Sequence, residues 1–372
     1  MRSFLTALPF LALVVDARRS CGNEAVPASV QMAARYFERQ DKVADARTIQ
    51  AAAERTLVID TYFHVIASDN TEKGGYLPQD KVTAQFDALN RDFKDTGISF
   101  ALKDTTYTVN KEWATFSVDR DTGEKIEYAM KKALRKGSYA ALNVYYRPLG
   151  DGLLGICVFP EDVTPGDRTF VLDGCQVLTG SVPNGGTSNY QQGKTATHEI
   201  GHWLGLFHTF QGGCAGGDSV DDTPAQKSPT NGCPNPNPDT CTGVQYPGLD
   251  PIHNFMDYSY DECMFEFTPG QTKRVFDFWD QYRAKFAGQP GPDPEPTSST
   301  TTTTTTTTTK PSTTTTTTTT TTTPPPTTTT TTTKSTTTKT TTTKTTTTKS
   351  PTPTPTPSIP DWWCDLFGIC RT

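Results

Sequence analysis

The segment His198-Glu-Ile-Gly-His202-Trp-Leu-Gly205-Leu-Phe-His208 restricts the fold of this chain more than any other. On an α-helix His198 and His202 lie four residues apart, so both imidazoles leave one face about a turn apart and can share an ion at about 2.0–2.1 Å. His208 cannot join them from the same straight helix, because six further residues rotate it roughly 240° away from His202. The helix must therefore break, and Gly205 is the residue that turns the chain back at low cost, since glycine enters left-handed conformations freely. Three nitrogen ligands leave a fourth position open. That is the pattern of a catalytic zinc, which acidifies a bound water toward pKa ~7. Glu199, beside the first ligand, is the candidate general base.

An ordinary amphipathic helix is the plainer explanation. The bare HExxH string arises by chance in about 1% of chains of this length. Requiring Gly205 and His208 as well lowers that to the order of 10⁻⁵, and the full string is a metallopeptidase motif. The five histidines agree: three lie in this segment, His253 just precedes a second motif, and His64 sits in an apolar run as a plain strand residue.

The second motif is His253-Asn-Phe-Met256-Asp-Tyr258, followed by Asp261 and Cys263. With these residues in place the chain resembles a metzincin, and within that clan the pappalysin branch with its secreted fungal metalloproteases. The resemblance runs from about Leu57 to Arg283 and is densest from His198 to Gln271. It implies an endopeptidase acting on protein substrates. It also implies a Met-containing turn at Met256 beneath the zinc; a thioether is too soft to ligate this ion well. Tyr258 would reach toward the zinc and stabilise the tetrahedral oxyanion; the alternative is a buried core tyrosine.

Nine cysteines in a chain with a secretory signal imply disulfides with one thiol left over. Cys157 and Cys175 form a plausible local pair, and Cys364 and Cys370 could bridge the C-terminal tail. Cys214, Cys233, Cys241 and Cys263 allow three pairings. The resemblance favours the crossed one, Cys214–Cys241 with Cys233–Cys263, which would staple a Pro- and Gly-rich segment. The odd cysteine, Cys21, precedes Gly22 near the start of the mature chain. A thiolate is a strong zinc ligand, so Cys21 is a candidate latency switch that fills the open position; similar cysteine-glycine switches occur in relatives. The alternative is a free or intermolecularly paired thiol. Asp218, Asp221, Asp222 and Thr223 cluster oxygens after the first stapled cysteine and form a candidate calcium loop, which the resemblance raises to equal weight with the alternative of a solvated acidic turn.

Composition divides the rest. Met1–Ala17 has a basic Arg2, an apolar stretch and a small-residue ending, and reads as a secretory signal (1–17) too short to span a bilayer. A polar helical stretch to about Glu54 completes a latency segment (18–54). The catalytic domain is expected over 55–287. Residues 288–357 turn Pro-rich and then almost purely Thr, an extended and O-glycosylated linker in which no core can form. The tail, 358–372, carries Trp362, Trp363 and Phe367, flat faces that could bind a polysaccharide or cell-wall surface; the alternative, which its shortness favours, is an unassigned sticky tail that buries too little to form a domain. No other run of about 18 apolar residues suggests a membrane span. A mild net charge of −6 argues against a nucleic-acid partner.

Periodicity predicts strands at Leu57–Ile66, Ile98–Val109, Leu142–Arg147 and Leu153–Pro160, and helices at Gln79–Asp95, Ile126–Arg135, Tyr190–Leu204 and Pro269–Tyr282, the last capped by Thr268. The expected fold class is α/β: a metzincin-like zinc-peptidase domain with a twisted sheet and the active-site helix, a disulfide-stapled irregular half from Phe210 to Cys263, and a disordered stalk. The functional expectation is a secreted zinc endopeptidase made as a latent precursor. Its rival is a surface adhesin whose stalk and tail act and whose zinc is structural; Glu199 speaks against it, since a structural zinc has no use for a base.

Overall fold

The computed structural model describes residues 20–291 except 24, 45–53, 119–120, 151 and 244–246. The signal segment, the linker beyond residue 291 and the tail with Cys364 and Cys370 lie outside the described residues.

Five strands form one mixed sheet in the order β2-β1-β3-β5-β4. β1 (Leu57–Ala67) lies between β2 (Ile98–Val109) and β3 (Leu142–Arg147), parallel to both. β5 (Cys175–Leu178) continues the parallel set, and β4 (Gly155–Cys157) closes it as an antiparallel edge. Strands covered on both faces need continuous apolar runs, and all six residues of β3 are buried. On one face Phe63, Val65, Val144, Tyr146 and Val177 pack against the main core with Ile200 and Trp203. On the other, Ile66 and Tyr145 meet Ala114, Phe116 and Met130.

The helices are α1 (Ala28–Asp41), α2 (Gln79–Asp92), α3 (Lys111–Thr115), α4 (Asp121–Leu134), α5 (Arg168–Leu172), α6 (Lys194–Trp203) and α7 (Pro269–Phe278). Several departures from the expected spans have local causes. α1 covers Ala28–Asp41, and the rest of the expected helical stretch falls largely on residues 45–53, outside the described residues. α2 gives way to a short 3-10 turn that Gly97 stops at φ 74°. α4 begins five residues before the predicted Ile126. α6 starts at Lys194 instead of Tyr190, because Gly193 is left-handed at φ 86°. β4 keeps three residues of the predicted Leu153–Pro160, and β5, α3 and α5 are additional. Thr268 and Gln271 form a capping box at the start of α7, worth about 1 kcal/mol. Past Phe278 the helix widens into a π turn at Trp279–Arg283.

Disulfides tie what strands and helices do not. Cys157–Cys175 joins β4 to β5, and the crossed pairs Cys214–Cys241 and Cys233–Cys263 close loops through the irregular half after α6. Closing loops of 27 and 30 residues restricts the unfolded chain by roughly 3–4 kcal/mol each. No helix among the described residues is long and apolar enough to cross a membrane.

Candidate active site

α6 lies between the sheet and the irregular half, and all its residues from Thr195 to Trp203 are buried. Both ends are fixed. Gln85 donates to the Gly193 carbonyl at 3.1 Å, and the Thr197 hydroxyl to Asp92 at 2.8 Å. At the other end Asp173, fully buried, accepts from the Trp203 indole and the Arg283 guanidinium, both at 2.9 Å, and meets Arg135 at 3.3 Å. Three donors make this buried charge affordable and clamp the helix. The sequence offers no local sign of this hub, whose members come from four separate segments.

The helix stops as the spacing demands. Gly205 adopts φ 97°; its N–H bonds the His202 carbonyl and that of Leu206 the Gly201 carbonyl, each at 2.9 Å, closing a Schellman turn. A side chain at Gly205 would also meet the Phe278 ring at 2.3 Å. The reversed chain then brings His208 back beside the helix.

The three imidazoles converge through their Nε2 atoms: His202 lies 3.2 Å from His198 and 3.1 Å from His208. Their Nδ1 atoms are engaged elsewhere, on the Phe255 carbonyl at 2.7 Å, the Leu206 carbonyl at 2.8 Å and the Gln211 side-chain oxygen at 3.3 Å for His198, His202 and His208. A carbonyl can only accept, so each Nδ1 carries the proton and each Nε2 presents a lone pair to the centre. Burial pushes His202 down to about 4, which keeps it neutral and able to ligate. With Cys21 these residues bring four donor atoms within 4.8 Å of one another. Three neutral imidazoles and a thiol are a zinc donor set, and the residues fit that ion.

Cys21 is buried beside them. Its segment lies along β4 as a further short parallel pairing, with Gly22 N–H on the Gly155 carbonyl and Leu154 N–H on that of Ser20, both 2.9 Å. Asn23 doubles the anchor by exchanging bonds of 2.6 and 2.8 Å with the Cys157 backbone. The Cys21 thiol is 3.4 Å from Glu199 Oε2, and its N–H donates to the Tyr258 hydroxyl at 3.2 Å. Gly155 leaves the space that Glu199 occupies: a Cβ there would lie 2.4 Å from Glu199 Cγ and 2.6 Å from Oε1. Nothing in the sequence marks Gly155, which lies 44 positions from Glu199.

The second motif runs under the histidines. Met256 is fully buried, and a Cβ at Gly201 would meet its sulfur at 2.4 Å, so helix and turn touch through a glycine. Asn254 and Gln271 exchange side-chain amide bonds of 2.8 and 3.0 Å, and Asn254 also accepts from Met256 N–H at 3.0 Å. The Tyr258 ring stands edge-on to His208 at 4.9 Å. His253 is not part of the cluster; its Nδ1 bonds the Cys263 carbonyl.

The acidic run follows Cys214. Asp218 is buried and accepts from Val220 N–H, Asp221 faces Lys42, Asp222 accepts from Gly270 N–H, and Thr223 is buried. Among the described residues the histidine–cysteine cluster is the metal-competent group.

A family model described as pregnancy-associated plasma protein-A matches residues 140–280. Extracellular metalloprotease 1 of Coccidioides posadasii is 46% identical over 285 residues, covering 75% of this chain and 96% of that protein. The extracellular metalloprotease of Colletotrichum graminicola is 48% identical over 247 residues, 66% of this chain and 84% of that protein. Among solved structures, mirolysin in complex with a compound aligns with TM-score 0.51 and 28% identity over 61% of this chain and 93% of that one. A promirolysin mutant of Tannerella forsythia gives TM-score 0.51 and 26% identity over 71% and 94%.

Proposed function

Because the chain belongs to the fungal extracellular metalloproteases of the pappalysin branch, and is a secreted zinc metalloendopeptidase, we propose that Glu199 is its general base and Tyr258 its oxyanion donor. The observation that carries this reading is the convergence of the His198, His202 and His208 Nε2 atoms with the Glu199 carboxylate alongside. A zinc ion held by these nitrogens supplies Lewis acidity that acidifies a water and polarises the scissile carbonyl. Glu199 takes the proton of the attacking water. The Cys21 sulfur stands 3.4 Å from Oε2, so a water that replaces it would lie next to this carboxylate. The same carboxyl then returns the proton to the departing amine. Tyr258, whose hydroxyl now meets Cys21 N–H, turns its own O–H toward the negative charge growing on the carbonyl oxygen. The backbone groups of Leu154 and Gly155, now bonded to Ser20 and Gly22, would hold an extended substrate along the β4 edge.

Latency follows from the same contacts. Cys21 takes the fourth donor position, Asn23 fastens its strand, and α1 docks on α7 with Phe37 against Phe278 at 5.3 Å. Gly22 admits the close approach, since a Cβ there would meet Ile156 at 2.5 Å. Activation would remove residues up to the 45–54 stretch. Arg55, gripping Asp280 through two bonds of 2.8 Å, would stay with the catalytic domain. The signal (1–17), the glycosylated linker (288–357) and a polysaccharide-binding tail (358–372) belong to the same proposal.

The test is cleavage of a denatured protein by the activated enzyme, before and after a zinc chelator and after zinc is returned. Activity lost to the chelator and restored by zinc is expected; cleavage that persists with no bound metal would refute the reading.

A further inference from the structure

Arg147 ends β3 and is 1% exposed, yet among the described residues it has no carboxylate partner of the kind a buried guanidinium ordinarily has. Its Nε donates to Gln176 Oε1 at 2.6 Å and its Nη1 to the Ala114 and Phe116 carbonyls at 3.3 and 3.0 Å. The Phe116 ring covers one face at 3.8 Å. All three bonded partners are neutral, and among the described residues Nη2 has no hydrogen-bond partner. Glu127, the acid whose charge reaches Arg147, is engaged by Lys131 at 2.8 Å. Arg283 is the contrast, equally buried but paired with Asp173. Burial pushes Arg147 down to about 10, so it stays charged at neutral pH.

Arg147 lines a cavity of about 340 Å³ beside the active site. One side is formed by Phe116, Ser117 and Val118 and by Leu149, Gly150 and Leu153, the stretch that leads into β4. The other side is formed by Ser20, Cys21, Gly22 and Ala25. These belong to the segment whose removal activates the enzyme, so the inference rests on the proposed latency and cleavage. Once they leave, the cavity opens onto the β4 edge where substrate would lie. Side chains of an extended peptide alternate between two faces, so one residue near the scissile bond points toward the cavity.

We propose that this cavity is a substrate subsite for a carboxylate, in which Arg147 binds an aspartate or glutamate side chain of the polypeptide being cut. The guanidinium is already desolvated and held in place by three bonds, so binding costs little reorganisation, and a charge-assisted bond supplies selectivity over a neutral isostere.

The test uses enzyme activated from the full-length precursor and quenched fluorescent peptides that differ only by Glu or Gln, scanned over three positions on each side of the scissile bond. At one position Glu should exceed Gln in kcat/KM by about tenfold. The Glu/Gln ratio there should fall to about one in Arg147→Gln and recover in part in Arg147→Lys. A ratio near one at every position in the unmodified enzyme overturns the proposal without any variant. An undiminished ratio in folded Arg147→Gln protein overturns it as well. Failure to cut either peptide of every pair would instead remove the cleavage reading beneath it, and the proposal with it.

Discussion

Replacing Gly155 by alanine tests whether the position of Glu199 governs turnover. The added Cβ would lie 2.4 Å from Glu199 Cγ, 2.6 Å from Cδ and 2.6 Å from Oε1, whereas an ordinary contact begins at 3.4 Å. Glu199 must therefore retreat by about 1 Å, and α6 cannot follow, because Asp173 and Asp92 hold it. A misplacement of that size costs on the order of 10²-fold in turnover, or about 2.7 kcal/mol. The backbone at Gly155 has no left-handed φ, so alanine is otherwise tolerated and the Gly155 carbonyl stays available to substrate. The assay is kcat and KM of the activated enzyme on a quenched peptide, with zinc content and Tm measured on the same sample. The expected pattern is a fall in kcat with KM and zinc little changed. On a Glu199→Gln background the same substitution should add little, because the two act on one group. A Gly155→Ala enzyme with unaltered kcat, or a full additional loss on the Gln background, would refute the reasoning.

Glu199→Gln keeps the shape and the histidines but removes the proton acceptor, so kcat should fall at least ~10²-fold with zinc retained; near-normal cleavage at full zinc occupancy would exclude Glu199 as the base. Tyr258→Phe removes one oxyanion donor, worth roughly 2.7–4 kcal/mol in comparable sites. The loss should appear in kcat, whereas a drop in Tm alone would return Tyr258 to a packing role. The Cys21→Ala precursor should cut peptide before its N-terminal segment is removed, and equal latency of both uncleaved precursors, checked by mass, would leave only steric blocking. A chain ending near Gly288 should keep its kcat/KM on a soluble peptide and lose retention on cell-wall polysaccharide; unchanged retention would make the tail a mere terminus.

What the sequence determines here is local. The four-residue spacing of His198 and His202 sets a helix face, and Gly205 sets where that helix must end, because both depend only on backbone geometry within a few residues. Continuous apolar runs likewise give β1 and β3 almost to the residue, and Thr268 with Gln271 marks the start of α7. Short or polar elements escape this reading. β5 is four residues long and includes Gln176, and α6 starts late because Gly193, not the apolar Tyr190, sets its first turn. Tertiary packing alone decides who meets the site. Cys21 meets Tyr258 across 237 positions and Glu199 across 178, Asp173 gathers Trp203, Arg135 and Arg283, and Gly155 earns its role by what it lacks. Arg147 reads in sequence as the polar end of a strand, and only the fold shows a buried charge whose bonded partners are neutral, facing a cavity. Spacing along the chain fixes directions within one element. Distances between elements are set by how the whole core closes, which no short window of residues contains.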